Sequence, residues 1–223
     1  MSTEYIIERQ HKFSLGLREL IRYRELFYFF TWRDIKVKYK QAALGFLWAI
    51  LEPLLMMLIF TLVFSKGLNV SSEGIPYPVF ALSGLIIWNI FSTGLLNSAN
   101  SMVTNANIIK KIYFPRLIIP MSSILTALFD FCFALVVYIG VVIWFNHDTD
   151  WLRVLYCLPV SILLTVFTTF GLGTFLAALN VKYRDFQYII PFLIQFLLFV
   201  NPVLYSSKIF QEGILGWIMR LNP

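Results

Sequence analysis

The chain has 223 residues, of which 59% are apolar and 13% are charged, and its mean hydropathy is +0.75. A water-soluble domain does not cover so much apolar surface with so few charges, so we expect lipid to surround most of the chain. These residues suffice for several membrane spans with short loops and leave no room among them for a second soluble domain. The net charge of +6 comes without an aromatic-basic motif, so nucleic acid is not an expected partner.

The first 43 residues form a charged segment that is predicted to be cytoplasmic and interfacial, and no signal peptide is expected. On a helical wheel, apolar residues share one side: Leu17, Leu20, Ile21, Tyr28, Trp32, Ile35 and Tyr39. Cations gather on another: Arg18, Arg22, Arg33, Lys36 and Lys40. This pattern predicts an amphipathic helix in the headgroups, with its aromatic rings toward lipid. The run LFYFF at 26–30 is apolar all round and predicts a break near Thr31.

Five windows with almost no charge are each long enough to cross about 30 Å of hydrocarbon. They lie at 44–65, 77–98, 117–145, 154–179 and 188–205. The sequence therefore predicts an all-α polytopic membrane protein with one transmembrane domain over 1–223, in which 44–205 hold five helices. The apolar-rich segment 206–223 is expected on the external side, and we expect a sixth span beyond Pro223.

Basic residues predict the orientation. Of the 18 Lys and Arg residues, 9 lie before the first span, 3 in the loop after the second and 2 in the loop after the fourth. These segments share one side of the membrane, which the positive-inside rule makes the cytoplasmic side. We therefore expect a multi-pass protein of the cell inner (plasma) membrane with a cytoplasmic N-terminus.

The loop between the second and third spans, NSANSMVTNANIIKKIYFPRLIIP, begins polar without charge and then turns amphipathic and basic. It predicts that the second helix leaves the bilayer and that the chain returns through a short helix around 108–114, ended by Pro115. Cys132 and Cys157 fall inside predicted spans without metal-ligand spacing, so no metal site is expected.

Two carboxylates, Glu52 and Asp130, fall inside apolar windows. Each costs about 2.5 to 3.5 kcal/mol at the membrane centre and so needs a partner, water or a proton. One interpretation makes them part of a polar translocation path or a proton relay, although two isolated acids are few for a proton-coupled carrier. The other makes each a carboxylate hydrogen-bonded between helices, neutral or paired.

The sequence lacks catalytic motifs. It contains no H-E-x-x-H, no G-x-S-x-G and no cluster of Cys or His, so no enzyme activity and no catalytic residue are expected. The P-loop pattern G-x-x-x-x-G-K-[ST] is also missing, because GLGTF at 171–175 lacks the lysine. If ATP drives this protein, another chain binds the nucleotide.

Three stretches occur in the order TWRDIKVKYKQAALGFLWAILEPLLMMLIFTLVFS (31–65), NIIKKIYFPRLIIP (107–120) and LNVKYRDFQYIIPFLIQFLLFVNPVLYS (179–206). They resemble the permease subunit of type 2 ABC exporters, most closely the branch that exports O-antigen, capsular polysaccharide or teichoic acid. The resemblance implies a homodimer of six-helix permeases, two copies of a separate ABC ATPase that binds ATP and Mg, and a polyprenyl-linked glycan substrate. This chain would hold no cofactor of its own.

The resemblance also implies roles for particular segments. The short helix would be a coupling helix docked on the ATPase, with Ile108, Lys110, Lys111 and Phe114. A second cytoplasmic contact would come from Asn180, Arg184 and Asp185, which match the family's motif after the fourth span. Residues 206–223 resemble an external re-entrant gate, and the family's sixth helix would follow them.

Four cations beside the first span could hold the pyrophosphate of a lipid carrier: Arg33, Lys36, Lys38 and Lys40. The alternative is that they obey the positive-inside rule and snorkel to lipid phosphates. Aromatic candidates for the channel wall are Trp48, Trp88, Phe91, Phe192, Phe196, Phe199 and Tyr205, because sugar C–H faces slide along aromatic rings, and Glu52 is a further candidate as the carboxylate of a polar path. Alternatively, these rings face lipid. The pair Asn201 and Pro202 is expected to mark the start of the external gate.

Three classes of function follow from these patterns. The leading one is an ATP-driven exporter permease for a lipid-linked polysaccharide. The second is an exporter of the same type for drugs or other lipids. The third is a membrane-embedded enzyme of polyprenyl-phosphate metabolism, which the lack of a catalytic cluster disfavours.

Overall fold

The computed structural model describes residues 22–40, 44–68, 72, 74–146, 149–203 and 205, and every regular element in these ranges is helical. The helices are α1 (Arg24–Lys40), α2 (Leu47–Phe60), α3 (Tyr77–Thr104), α4 (Ala106–Ile109), α5 (Ile118–Trp144), α6 (Trp151–Lys182) and α7 (Phe186–Val200), and α2 continues as a π-helix over Thr61–Gly67. The expected all-α class is confirmed for the described residues.

Four helices in this part of the chain are long and apolar enough to cross a membrane: Leu47–Gly67, Tyr77–Thr104, Ile118–Trp144 and Trp151–Lys182. They coincide with the first four predicted spans, with shifts of a few residues at their ends. The protein is thus a multi-pass membrane protein. Hydropathy located these helices well because each backbone segment in lipid must satisfy its own hydrogen bonds as a helix.

The fifth predicted span, 188–205, is shorter in the structure. α7 has 15 residues, which is about 22 Å of helix and less than the hydrocarbon thickness. It ends at Val200 because Asn201 takes an extended conformation, with φ −81° and ψ 143°. A residue that precedes proline disfavours the helical region, and Pro202 follows directly. The predicted gate segment, 206–223, lies outside the described residues.

α3 is the central helix and packs along both α5 and α6. Its close approach to α6 rests on small residues. A Cβ added to Gly173 of α6 would lie 2.5 Å from the Ser98 Oγ, and one added to Gly94 of α3 would lie 3.0 Å from Thr169. Small residues at helix crossings let backbones approach and gain van der Waals contact, which is the main attraction between helices in lipid.

One face of α1 packs against α5. Ile35 and Tyr39 are buried with Ala49, and Phe129 and Phe133 of α5 cover them. The prediction that Ile35 and Tyr39 face lipid with the other aromatic residues of this helix was therefore wrong. The helical wheel showed which residues share one side of α1. It did not show that α5 provides an apolar surface against which some of them pack.

The outer face of α1 is exposed. Its members, at four-residue spacing, are Tyr28, Trp32, Lys36 and Lys40. The predicted break near Thr31 was wrong, because α1 is continuous and the Thr31 hydroxyl donates to the Phe27 carbonyl oxygen at 2.9 Å. The first residues of the predicted amphipathic helix, including Leu17, Leu20 and Ile21, lie outside the described residues.

The predicted short helix over 108–114 is present only as α4, which ends at Ile109. Residues 110–112 form turns and a bend, and 113–115 have no regular structure. Phe114 instead packs against Phe30 of α1, with ring centres 5.6 Å apart. Because Phe114 precedes Pro115, it disfavours the helical conformation, which explains why the helix does not extend to it.

Candidate transport path

Three cavities follow one another along α3. We name them the polar cavity, about 560 Å³, the middle cavity, about 370 Å³, and the end cavity, about 400 Å³. Glu52 and Thr93 line both the polar and the middle cavity, and Trp88 lines both the middle and the end cavity. Along α3 the cavities extend from Gly84 to Thr104, which is about 30 Å of helix. The three cavities together therefore extend along α3 for about the thickness of the hydrocarbon layer.

The polar cavity lies between α1, α2, α3 and α5. Its lining residues are Arg33, Asp34, Val37, Lys38, Glu52, Thr93, Asn97, Asn100, Ser101, Thr104, Asn105, Ser123 and Thr126. All of them except Val37 carry a polar or charged side chain. Such a wall favours water and hydroxyl groups over lipid tails, since buried polar groups need hydrogen-bond partners.

α3 contributes one polar stripe to the polar and middle cavities, formed by Asn89, Thr93, Asn97, Asn100 and Thr104. These residues are three or four positions apart, which places them on one face of the helix. The Thr93 hydroxyl donates to the Asn89 Oδ1 at 2.8 Å. The stripe was not predicted from the sequence, although Asn and Thr recur there at helical spacing within 77–104.

The middle cavity lies between α2, α3 and α7, and the end cavity between α3, α6 and the turn that follows α7. They are more apolar than the polar cavity. Three of the predicted channel-wall residues line them, namely Glu52, Trp88 and Phe91. Gly84 also lines the end cavity, where a Cβ would lie 2.7 Å from the Val203 carbonyl oxygen. This close approach holds the turn after α7 against α3.

The other predicted channel-wall residues lie away from these three cavities. Trp48 of α2 is exposed, and so are three rings of α7: Phe192, Phe196 and Phe199. The Tyr205 hydroxyl donates to the carbonyl oxygens of Phe199 and Val200, at 2.9 Å and 3.2 Å. Tyr205 thus folds back on the end of α7.

Arg33 and Lys38 are the two predicted pyrophosphate-binding cations that line the polar cavity. The Arg33 guanidinium donates to the Asp34 carboxylate at 2.7 Å and to the Asn105 Oδ1 at 2.8 Å. The Lys38 ammonium donates to the Asp130 carboxylate at 2.5 Å. Both cations therefore already face a carboxylate.

Lys36 and Lys40 lie on the outer face of α1, away from the polar cavity. Neither has an ion-pair partner among the described residues, and both are exposed. The Lys36 ammonium lies 5.3 Å from the centre of the Trp32 ring, and Trp32 stacks on Tyr28 with centres 6.4 Å apart. The four cations thus divide into two compensated and two uncompensated charges.

Asp130 belongs to a buried group with Lys38 and Tyr39, which we call the Asp130 cluster. It is 8% exposed and accepts hydrogen bonds from the Lys38 ammonium and the Tyr39 hydroxyl. Burial, together with the neighbouring Asp130 carboxylate, raises the pKa of the Tyr39 phenol far above its ordinary value, so Tyr39 stays a donor. Of the two interpretations offered for Asp130, pairing between helices is the one observed.

The predicted ATPase contacts differ in exposure. Four are exposed on the surface: Lys110, Lys111, Arg184 and Asp185. Ile108 is half-buried and Phe114 is buried, both in an apolar cluster that includes Phe30 of α1. Asn180 is 1% exposed and donates to α3. The structure therefore does not place Phe114 and Asn180 on a surface that another subunit can reach, because other helices already cover them.

The chain is similar to known transport proteins. Residues 25–223 match the family described as "ABC-2 type transporter". "O-antigen export system permease protein RfbA" from Myxococcus xanthus is 34% identical over 209 residues, which cover 93% of this chain and 78% of the relative. A protein of the same description from Klebsiella pneumoniae is 33% identical over 193 residues, or 86% of this chain and 73% of the relative. "Polysialic acid transport protein KpsM" from Escherichia coli is 27% identical over 180 residues, or 78% and 67%.

The family match includes α2 to α7 in full and nearly all of α1. The described residues contain no group of three or more His, Cys, Asp or Glu side chains that could hold a metal ion. The resemblance seen in the three sequence stretches is confirmed, and it makes the chain a transporter subunit rather than an enzyme. The chain belongs to the ABC-2 type transporter family.

Proposed function

We propose that this protein is the permease of an ATP-binding cassette exporter that moves a polyprenyl-linked polysaccharide across the inner membrane. In this proposal the N-terminus is cytoplasmic, two copies of the chain form a homodimer, and two copies of a separate ABC ATPase bind ATP and Mg. The relatives described as O-antigen export and polysialic acid transport proteins support the substrate class. The polar stripe of α3 and the ion pairs of Arg33 and Lys38 support the same substrate class independently of the relatives.

The observation that carries the proposal is the polar stripe of α3 beside cavities that extend about 30 Å along the helix. A polysaccharide is rich in hydroxyl groups, each of which donates and accepts hydrogen bonds. Amide and hydroxyl side chains match both capacities without holding the substrate by a fixed charge. Weak, repeated contacts of this kind suit a chain that must move along the wall.

The charges around the polar cavity favour an uncharged glycan over a pyrophosphate inside it. The two cations of the wall are each paired with an aspartate, and the remaining acidic side chain of the wall, Glu52, has no ion-pair partner among the described residues. We therefore propose that the lipid pyrophosphate is held outside the cavity, at Lys36 and Lys40. Exposed ammonium groups at a membrane surface attract doubly charged phosphate groups more strongly than compensated ones do.

Trp88 and Phe91 are proposed to form the apolar part of the path, since they line the middle and end cavities. The exposed rings of α7 are proposed to face the second copy of the chain or lipid: Phe192, Phe196 and Phe199. The exposed charges of the two cytoplasmic turns are proposed as the ATPase contact: Lys110, Lys111, Arg184 and Asp185.

The first test is purification of the full-length protein from its own cells with a C-terminal tag. We expect an ATP-hydrolysing subunit to copurify and surface polysaccharide to disappear when the permease is depleted. A tag inserted after Lys111 should be accessible only from the cytoplasm. Transport by the purified chain without an ATPase, or an external Lys111 tag, would contradict the proposal.

The second test addresses the stripe. We expect Asn97→Leu, which replaces a polar wall residue by an apolar one, to lower surface polysaccharide about fivefold through the loss of one hydrogen bond. The matched control is Ser161→Ala on α6, whose hydroxyl donates to the Cys157 carbonyl oxygen of its own helix and to no other described residue. Equal export by the two variants would remove the stripe from the path.

A further inference from the structure

Asn180 is a buried amide for which the transport path above gives no role. It lies in the last turns of α6 and is 1% exposed. Gly173 and Ala177 precede it on the same face, and their small size lets α6 approach α3 there. Burial of an amide costs free energy unless its polar atoms are bonded. The Asn180 Oδ1 has no hydrogen-bond partner among the described residues, so the contacts of Nδ2 indicate what the side chain does.

Both hydrogen bonds of Asn180 are made to α3, next to the polar cavity. Its Nδ2 donates to the Ala99 carbonyl oxygen at 3.1 Å and to the Asn100 Oδ1 at 2.9 Å. The Ala99 carbonyl is backbone and therefore fixed by α3 itself. Asn100, by contrast, is a side chain of the cavity wall. Asn180 thus holds a wall residue without lining the cavity itself.

The bond from Asn180 determines whether the oxygen or the nitrogen of the Asn100 amide remains available to a ligand. An asparagine amide has an acceptor oxygen and a donor nitrogen. The Asn100 oxygen already accepts the hydrogen bond from the Asn180 Nδ2. The Asn100 Nδ2 has no hydrogen-bond partner among the described residues, so it is the polar atom of this side chain that remains available to the cavity.

We propose that Asn180 is a positioning residue that holds the Asn100 amide so that its NH₂ group is presented to sugar oxygens in the polar cavity. This inference rests on the proposed function and gives Asn180 a part in substrate handling. The hydroxyl and acetamido carbonyl oxygens of sugars both accept such a bond. A wall that offered the amide oxygen instead would bond only to hydroxyl or amide donors.

The substitution Asn180→Asp reverses the bond to Asn100 at nearly constant volume, and it also removes the bond to the Ala99 carbonyl oxygen, a loss that Asn180→Ala shares. An ionised carboxylate accepts hydrogen bonds and donates none. The Asn100 amide then turns its NH₂ group toward the new carboxylate, and its oxygen faces the cavity. Asn180→Ala is the second variant, because it removes the constraint on Asn100 without adding a charge.

The test uses the full-length permease with its ATPase in proteoliposomes. ATP hydrolysis is measured against the concentration of polyprenyl-linked polysaccharide extracted from the cells that make the protein. We expect Asn180→Asp to raise the half-saturating concentration about fivefold, with a smaller change in the maximal rate. Asn180→Ala should raise it less, and the Ser161→Ala control should not change it.

A double-mutant cycle separates positioning from a merely structural role. In an Asn100→Ala background, Asn180→Asp should cause no further rise in the half-saturating concentration, because the residue through which it acts is gone. A persisting rise, or a loss of assembly in both Asn180 variants, would overturn the inference. If Asn100→Ala impairs stimulation and both Asn180 variants do not, only this inference fails. If Asn100→Ala itself behaves like the control, the polar cavity is not in the path and the proposed function loses its site as well.

Discussion

The Asp130 cluster and the wall of the polar cavity each contain a carboxylate that the sequence places in an apolar helix. Asp130 is 8% exposed and accepts hydrogen bonds from Lys38 and Tyr39. Glu52 is exposed on the wall shared by the polar and middle cavities and has no ion-pair partner among the described residues. A carboxylate is unfavourable in lipid, so each needs a polar surrounding. Protein donors provide it for Asp130, and a cavity provides it for Glu52.

The Asp130 cluster shows how α1 contributes to the fold. Lys38 and Tyr39 are adjacent in sequence and bind the same carboxylate, so one turn of α1 is fastened to α5. The apolar contacts of Ile35 with Phe129 and Phe133 lie beside it. α1 is therefore docked on the transmembrane helices by both charge and packing, whereas the wall around Glu52 leaves space for another molecule.

The largest expected effect is that of Asp130→Ala, which leaves Lys38 and Tyr39 without their acceptor. Breaking a fully buried pair costs about 3 to 5 kcal/mol. Because the Lys38 side chain is 41% exposed, we expect about 2 kcal/mol, or a Tm about 5 °C lower in detergent. The control is Asp185→Ala, which removes an exposed carboxylate and should leave Tm unchanged. Equal Tm values for the two variants would show that the cluster does not fasten α1.

A smaller loss is expected for Tyr39→Phe. The substitution removes one donor to Asp130 and keeps the ring that packs against Phe129. The lost hydrogen bond should cost about 1 kcal/mol, seen as a Tm about 2 to 3 °C lower by the same measurement. A Tm loss as large as that of Asp130→Ala would mean that the phenol, and not the ammonium, is the main partner of the carboxylate.

The paired amide variants Asp130→Asn and Glu52→Gln test the comparison most directly. Both remove a charge and keep the volume. Asp130→Asn should lower Tm because Lys38 loses its counter-ion, and Glu52→Gln should leave Tm within about 1 °C because no protein partner is lost. Glu52→Gln should instead lower export of surface polysaccharide about twofold to fivefold. If Glu52→Gln lowers Tm as much as Asp130→Asn, the contrast between the two acids is not real.

The smallest effect concerns pH. The ordinary pKa of a tyrosine phenol is 10.0, and burial beside Asp130 raises that of Tyr39. The stability that Tyr39 contributes is therefore fully present below pH 10 and is lost as the pH rises above the ordinary value, where the unfolded phenol ionises first. The Tm difference between the natural protein and Tyr39→Phe should be constant from about pH 7 to 9 and shrink above about pH 10. A difference that changes between pH 7 and 9 would assign another group to the cluster.

The sequence alone was enough for four of the transmembrane helices and for the family. Apolar windows at 44–65, 77–98, 117–145 and 154–179 correspond to α2, α3, α5 and α6. These predictions succeeded because the need to bury apolar side chains and to bond every backbone group in lipid acts on each segment by itself. The fifth window was too long at its end, where Pro202 overrides hydropathy by constraining Asn201.

The candidate site was only partly predictable. Glu52, Trp88 and Phe91 line cavities as chemistry suggested. The polar stripe was missed because the windows were recognised by their lack of charge, and Asn and Thr carry none. Asn180 was assigned to a cytoplasmic contact because it matches the family's motif after the fourth span, but it is buried between α6 and α3.

The membrane-spanning helices could be predicted from the sequence, because each helix must place its own apolar side chains in lipid and bond its own backbone groups there. Only the tertiary structure decided that Lys38 and Tyr39 meet Asp130, 92 and 91 residues away, and that Asn180 meets Asn100, 80 residues away. Such pairs depend on which faces of α1, α3, α5 and α6 come together. A polar side chain in an apolar helix signals that it needs a partner, and the packing of the helices determines which one it finds.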